Sequence, residues 1–248
     1  MDSNKHKKKI VGLMIGKKTS YGIPGKNIFK IHKKHLFEFP LISATKSKSL
    51  DELYISTDCP TIKRKSKKYL AKVIERPKRI QHPETLTEDV LFHAHEHIKK
   101  DLGGIQNIKY YVLLYANGAF VNNKLINKAI KKLDKNSKFD SCVGVVNADM
   151  FTPIRAKKID KNNSIKPFTK LKHFKNITSN RDSAGKAYFM DLSLQIIKPM
   201  CFEKMNGNQK PFLWLGKKIL PFEKEFGGDI DANWQFILLK DWLEKNFK

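Results

Sequence analysis

Lys17-Lys18-Thr19-Ser20-Tyr21-Gly22-Ile23-Pro24-Gly25-Lys26-Asn27 follows directly on the apolar run Ile10-Val11-Gly12-Leu13-Met14-Ile15. A short β-rich run that empties into a loop of small residues, glycine, proline and lysine reads as the first strand of an α/β sheet delivering a phosphate-binding loop. The search for function therefore starts at the C-terminal edge of a parallel sheet.

Outward from this loop, strands and helices alternate. Pro40 marks the start of a helix. Glu52-Leu53-Tyr54-Ile55-Ser56-Thr57-Asp58 reads as a second strand running into Cys59-Pro60, where Asp58 or Thr57 can cap a helix over 61–70. Val73-Ile74 is a short third strand before Arg76-Pro77. Over 87–100, Val90, Leu91, Ala94 and Ile98 have the spacing of a helix with one buried face. Residues 109–114 form a strongly apolar strand, followed by the loop Asn117-Gly118-Ala119-Phe120 and a helix over 124–133; residues 141–146 are a further strand. Strands separated by helices of this length predict a three-layer αβα fold on a mostly parallel sheet.

The rhythm breaks between 151 and 186, where the chain is polar, lysine-rich and turn-rich. That stretch is expected to be a small protruding lobe: a hairpin, a lid or an oligomer-forming arm. Apolar content returns over 187–190 and 194–197, and the chain closes with Gly227-Gly228-Asp229-Ile230-Asp231 and an amphipathic helix over 234–247. The expected division is 1–150 for the first part of the α/β domain, 151–186 for the lobe and 187–248 for the return to the domain.

Composition bounds the class. A chain of 248 residues, 40% of them apolar, buries one substantial core. The apolar stretches fall short of the roughly 20 residues of a membrane helix, and the lysines near the N-terminus precede no apolar segment of the signal-peptide kind. A soluble cytoplasmic protein is expected. Cys59, Cys142 and Cys201 have no paired spacing, which argues against a disulfide framework or a zinc knuckle. The formal charge of +25 invites a nucleic-acid reading, but only Arg64, Arg76, Arg79, Arg155 and Arg181 are arginines among the 49 basic residues. Lysine is the poorer partner for bidentate phosphate and base contacts, and no nucleic-acid-binding signature is present, so a solvated lysine-rich surface is the simpler account.

Two candidate constellations carry chemistry. Backbone amides in the loop 19–25 can point at phosphate, and Lys26 can reach a phosphoryl oxygen. In an extended segment residues i and i+2 share a side, so Asp229 and Asp231 can share one divalent cation while Ile230 faces the core. The competing reading of Asp231 is a cap on the last helix. His93, His95 and His97 read as a solvated or partly buried helix flank, and Trp214, Trp234 and Trp242 as core or interface aromatics.

In order, the pieces Gly22-Ile23-Pro24-Gly25-Lys26-Asn27, Ile55-Ser56-Thr57-Asp58, Arg76-Pro77, the segment 113–120 and Asp229-Ile230-Asp231 resemble the CMP-sugar synthetases. These are cytidylyltransferases that activate 2-keto sugar acids such as sialic acid, its bacterial nonulosonate relatives and Kdo. The resemblance spans nearly the whole chain and implies a Rossmann-like nucleotidyltransferase fold. It also implies transfer of CMP from CTP to the anomeric hydroxyl of a sugar acid with release of pyrophosphate, in surface polysaccharide biosynthesis, with Mg2+ as cofactor and a homodimer built through the lobe.

By the same resemblance Lys26 and Lys17 are catalytic, with Lys17 standing where the family has an arginine. Ser20, Gly22, Asn27 and Arg76 bind nucleotide, and Asp229 and Asp231 bind the metal. Tyr115 and Asn117 meet the sugar; Arg155 and Arg181 are candidates for its carboxylate. The chain departs from the family at Lys18 and Thr19, where glycines are usual, at Tyr21 in place of a lysine, and at Gln235 in place of a further acidic residue. A degenerate scaffold of the same fold, or a basic nucleic-acid binder, is the alternative those departures and the charge leave open.

Overall fold

The computed structural model describes residues 7–20, 22–174 and 176–247. Its strands are β1 (Lys9–Gly16), β2 (Lys30–Ile31), β3 (Lys34–His35), β4 (Glu52–Thr57), β5 (Lys72–Glu75), β6 (Ile108–Tyr115), β7 (Ser141–Asn147), β8 (Lys157–Ile159), β9 (Ile165–Pro167), β10 (Tyr188–Ile197) and β11 (Ile219–Lys224). Seven of them form one sheet in the order β11-β7-β10-β6-β1-β4-β5. Only β10 runs antiparallel to its neighbours, β6 and β7; the other pairings are parallel. The helices are α1 (Glu38–Thr45), α2 (Pro60–Ser66), α3 (Thr87–Asp101), α4 (Asn123–Asp134), α5 (Met200–Glu203) and α6 (Gln235–Asn246).

The alternation of side chains along β1 builds the layers. Met14 packs to one face with Leu41 of α1, Ile62 of α2 and Ile126 of α4. Val11 and Leu13 point to the other, where Leu91 and Ile98 of α3 and Phe202 of α5 cover them. Covered on both faces, β6 is apolar along almost its whole length, as a central parallel strand must be. The third cluster fastens α6: Phe236, Leu239 and Trp242 pack with Ile31, Leu36 and Phe120, and with Ile230. Each such buried side chain contributes about 1.5–3 kcal/mol of transfer free energy. This cluster seats Ile230 under the aspartates on either side of it.

Local details depart from the sequence expectations in informative ways. Helix α1 starts two residues before Pro40, which lies in the first turn where its missing N–H leaves no bond unmade. Helix α2 ends at Ser66, tightens into a 3-10 turn over Lys67–Tyr69, and stops at Leu70 with φ 56°. Neither Thr57 nor Asp58 caps it. Cys59 is the N-cap, and Pro60 in the first turn removes one of the donors a cap would serve. Asp58 instead accepts the Lys18 N–H at 2.8 Å, which ties the loop after β1 to the loop after β4. The two apolar runs expected near 187–197 are one strand, β10, with a register shift between Asp191 and Gln195.

The excursion from 151 carries the β8–β9 hairpin and short 3-10 turns at Leu171–His173 and Arg181–Ala184. All three cysteines are buried and unpaired. Trp214 and Trp242 are buried as expected, but Trp234 is exposed.

His95 is a correction. Rather than lining a wet flank it is wholly buried, with Nδ1 2.8 Å from the Tyr111 hydroxyl. Its Nε2 lies 3.4 Å from Glu203 and 4.0 Å from Glu96. Burial pushes its pKa below 6.5, and the nearby Lys99 acts in the same direction, while Glu203 and Glu96 oppose them. The unfolded chain therefore takes up this proton first, and stability falls as pH drops below the unfolded value. Urea unfolding between about pH 7 and about pH 5 should show a steeper loss of midpoint for the wild-type protein than for His95→Gln, with equal slopes counting against the assignment.

Candidate active site

Four separate stretches of chain meet at the C-terminal edge of β1 and β6. Here the sheet reverses its strand order, and a crevice opens between the loops. The cleft holds about 210 Å3, and Gly16, Lys26, Arg76, Tyr115, Asp229 and Asp231 are among its walls. A larger cavity of about 620 Å3 lies elsewhere, by His32, Phe39 and Phe247, and none of the site residues expected from the sequence lines it.

The loop after β1 is shaped by two glycines in different ways. Gly25 has φ 69°, the left-handed backbone that turns the chain into the 3-10 turn Lys26–Ile28. Gly22 lies so close to the Asp231 carbonyl that a Cβ there would sit 3.2 Å from it. Lys18 and Thr19, where the family has glycines, are not in left-handed backbone, so these side chains are carried without strain. Tyr21 lies outside the described residues. Ser20 is half-buried and is not part of the cleft wall.

Lys26 is buried, and its Nζ donates to Asp231 Oδ1 across 205 residues of sequence. Asn27, also buried, donates from Nδ2 to the Lys17 carbonyl at 2.8 Å, which closes the loop on itself. Its Oδ1 is buried and unpartnered. Lys17 lines the cleft and donates to the Pro83 carbonyl at 3.2 Å, drawing the 78–86 segment toward the loop. Arg76 is 7% exposed and holds the β4 edge, donating from Nε to Ser56 Oγ at 3.0 Å and from Nη2 to the Ser56 carbonyl at 2.8 Å. Burial lowers its pKa to about 10, and Asp58, 3.9 Å away, opposes the shift. It stays charged and presents that charge to the cleft.

The aspartates are unequal. Asp229 is buried, and burial raises its pKa from the usual 3.8 to about 7, with the charges of Asp231 and Asp191 adding to the effect; Lys26 and a hydrogen bond from Asn117 pull the other way. Its Oδ1 is buried without a hydrogen-bond partner. Asp231 is exposed, with 66% of its side chain open to solvent. It does not cap α6, whose N-cap is Trp234. Gln235 Oε1 accepts the N–H groups of both Asp231 and Ala232 at 2.6 Å. Gln235 thus fixes the backbone of the second aspartate. An unpartnered buried carboxylate oxygen within the field of a second carboxylate fits a divalent cation with oxygen ligands.

Tyr115 lines the back wall. Its burial, together with the charge of Asp229, pushes the phenol pKa far above 10, so it is a neutral donor at any working pH. The Asn117 carbonyl accepts the Ile230 N–H at 3.2 Å, which joins the loop after β6 to the aspartate segment. Arg155 is exposed in the excursion and is absent from the cleft wall. The Arg181 side chain lies outside the described residues.

The sequence reading missed His82, Thr85 and Thr87, which line the cleft from the segment entering α3. The position of that segment directly after Arg76-Pro77 was the available signal. It also missed Asp191 and Lys224, a buried ion pair behind the aspartates. Among the described residues one three-membered group of metal-ligating types occurs, His95, Glu96 and Glu203. Lys99 already bonds both glutamates there.

A family model described as cytidylyltransferase matches residues 18–210. The chain belongs to the cytidylyltransferase family. It is accordingly a CTP-dependent nucleotidyltransferase. Comparison with curated protein sequences returns no significant match. Solved structures agree on the fold. CMP:2-keto-3-deoxy-manno-octonic acid synthetase complexed with CTP superposes with a TM-score of 0.67 at 13% identity, covering 96% of this chain and 99% of the other. The 4-diphosphocytidyl-2C-methyl-D-erythritol synthase of Anaerococcus prevotii gives 0.63 at 14% identity, with 96% of each chain covered. A cytidylyltransferase of Leptospira borgpetersenii gives 0.58 at 13% identity, covering 96% of this chain and 87% of the other.

The electrostatics of Asp229 predict a trade between stability and function. In the unfolded chain the carboxyl titrates near 3.8 and in the folded protein near 7. The penalty for burying its charge is absent at low pH, grows between those values and is complete above the upper one, on the order of 4 kcal/mol at most. In metal-free buffer at about pH 8, Asp229→Asn should melt at a higher temperature than the wild-type protein, and the gain should vanish near pH 4. An unchanged or lowered melting temperature at the higher pH would show that the carboxylate is not strained.

Proposed function

We propose that this cytidylyltransferase transfers CMP from CTP to the anomeric hydroxyl of a 2-keto sugar acid, with a sialic-acid-like nonulosonate as acceptor. The observation that carries the reading is the convergence of Lys26, Asn27, Arg76, Asp229 and Asp231 in one cleft at the switch point of the sheet. For the acceptor, the support is the likeness in fold to a 2-keto-3-deoxy-manno-octonic acid synthetase. Arg155 is withdrawn from the substrate contacts of a single chain by its place in the excursion.

In such a transfer the acceptor oxygen attacks the α-phosphorus of CTP. A new O–P bond forms, the bond to the bridging oxygen breaks, pyrophosphate leaves and the hydroxyl proton passes to water. Charge moves from the attacking to the leaving oxygen, so the site must neutralise a polyanion throughout. Lys17, Lys26 and Arg76 supply fixed positive charge around the cleft. The unpartnered Oδ1 of Asn27 is an acceptor for a nucleoside hydroxyl or amino group. Asp229 and Asp231 would hold Mg2+, which supplies Lewis-acid stabilisation of the triphosphate when bound. Tyr115 and Asn117 form the wall on the acceptor side, and the neutral phenol donates to it.

Pyrophosphate release should require CTP, a divalent cation and a sugar acid, with ATP, GTP and UTP poor substitutes. Removing the ammonium in Lys26→Ala should cost about 100-fold or more in kcat/KM, the scale of losing one charge-stabilising group. Turnover with a phosphorylated polyol and none with any sugar acid would reject the acceptor. Normal turnover by the variant would reject the role of Lys26, and absence of nucleotide binding would favour a degenerate scaffold.

The lobe supports a homodimer as the working assembly. Phe151, Ile159, Ile165 and Phe168 are each about 70% exposed on the excursion from 151, a density of apolar surface that monomers seldom leave in water. Light scattering at micromolar concentration should give twice the chain mass, and Ile159→Glu with Phe168→Glu should halve it. A monomeric wild-type protein would contradict the assembly.

A further inference from the structure

The segment that presents Asp229 is held from behind by a carboxylate that belongs to neither motif nor cleft. Asp191 lies on β10 where the strand shifts register, and it is completely buried. Its Oδ1 accepts the Gly228 N–H at 2.8 Å and the Ser193 N–H at 3.1 Å. Its Oδ2 accepts the Ser193 hydroxyl at 2.9 Å and the Lys224 ammonium. Lys224, itself only 2% exposed, also reaches the Phe120 carbonyl and Ser193 Oγ. Every oxygen of the carboxylate is used, and its charge is matched inside the protein.

Gly227 shows how tightly this carboxylate is fitted to the turn. A Cβ at Gly227 would lie 2.5 Å from the Asp191 carboxyl carbon and 2.6 Å from Oδ2. Gly228, at φ 120°, has backbone that side chains seldom adopt. The two glycines therefore serve one purpose: they let the chain leave β11, wrap over a buried carboxylate and deliver Asp229 with its Oδ1 unpartnered.

We infer that Asp191, neutralised by Lys224, is a positioning residue for the divalent-cation ligands, acting through the Gly228 N–H to set the direction of the Asp229 carboxylate. This rests on the metal reading proposed above. A hydrogen-bond acceptor is the essential part. The charge is tolerated because Lys224 cancels it, and replacing both partners by uncharged residues of similar volume spares the fold.

The test uses the full chain without nucleotide and follows Mn2+ binding by water-proton relaxation. Asp191→Asn combined with Lys224→Met keeps an acceptor for Gly228 and should bind Mn2+ like the wild-type protein. Asp191→Leu combined with Lys224→Met removes it and should weaken binding by about tenfold or more, the usual cost of losing a group that orients a metal ligand. Circular dichroism and melting establish that both pairs are folded. If the second pair does not fold, Gly227→Ala displaces the same carboxylate and should weaken Mn2+ binding comparably. Undiminished binding by the folded Leu/Met pair, or by Gly227→Ala in its place, overturns the positioning role, as does equal weakening in both double variants. Failure of the wild-type protein to bind Mn2+, or wild-type affinity in Asp229→Asn, overturns the metal reading itself, so the two failures are told apart.

Discussion

Three carboxylates, Asp191, Asp229 and Asp231, converge behind and within one cleft, with the lysines 26 and 224 set against them. Burial, reinforced by the charges of Asp231 and Asp191, makes the Asp229 carboxyl resist ionisation and raises its pKa to about 7. The rest of the architecture can be understood as the means of keeping this group together. Cluster packing around α6 seats Ile230, the Asn117 carbonyl takes its N–H, Gln235 takes the N–H of Asp231, and Asp191 takes that of Gly228. Three backbone hydrogen bonds and one packed side chain, all between Gly228 and Asp231, hold the aspartate segment in place. Stability given up at such a site is a common accompaniment of function.

The positive side of the cleft is organised differently. The lysines and Arg76 are not left loose: Lys26 leans on Asp231, Lys17 on the Pro83 carbonyl and Arg76 on Ser56. Lys26 in particular rests on a carboxylate proposed to hold the cation, so the two would draw on the same side chain. A triphosphate entering with its cation would offer that ammonium a new partner. This coupling of opposite charges within a preformed frame suits displacement at phosphorus, where the protein contributes position and charge more than covalent chemistry.

The alternating pattern was legible because parallel strands buried on both faces leave continuous apolar runs, as along β6, and covering helices leave spaced ones, as in α3. Lys26 and the Asp229/Asp231 pair were legible as candidates because phosphate and cation chemistry demands those types beside turns, whereas Asn27 and Arg76 were picked out by the resemblance to a known family. Asp58 was misread as a helix cap because sequence distance hid Lys18, 40 residues away, which claims its oxygen. His95 was misread because a helix shows its period but not whether α5 will cover it. Asp191 and Lys224 were invisible for a stronger reason: a buried ion pair has no local signature, and its two halves are 33 residues apart. Arg155 had only its charge to recommend it, and charge in a lysine- and arginine-rich excursion says little about where a side chain ends up.

The central claim is that CTP and a divalent cation meet between the 17–27 loop and the Asp229–Asp231 segment. A crystal structure of the protein soaked with CTP and Mn2+, with the metal located by its anomalous signal, tests it most directly. The account predicts one Mn2+ bound by carboxylate oxygens of Asp229 and Asp231, and the triphosphate within reach of Lys26. Nucleotide seated elsewhere, for example in the cavity beside His32 and Phe39, or a metal that leaves Asp229 untouched, would contradict it.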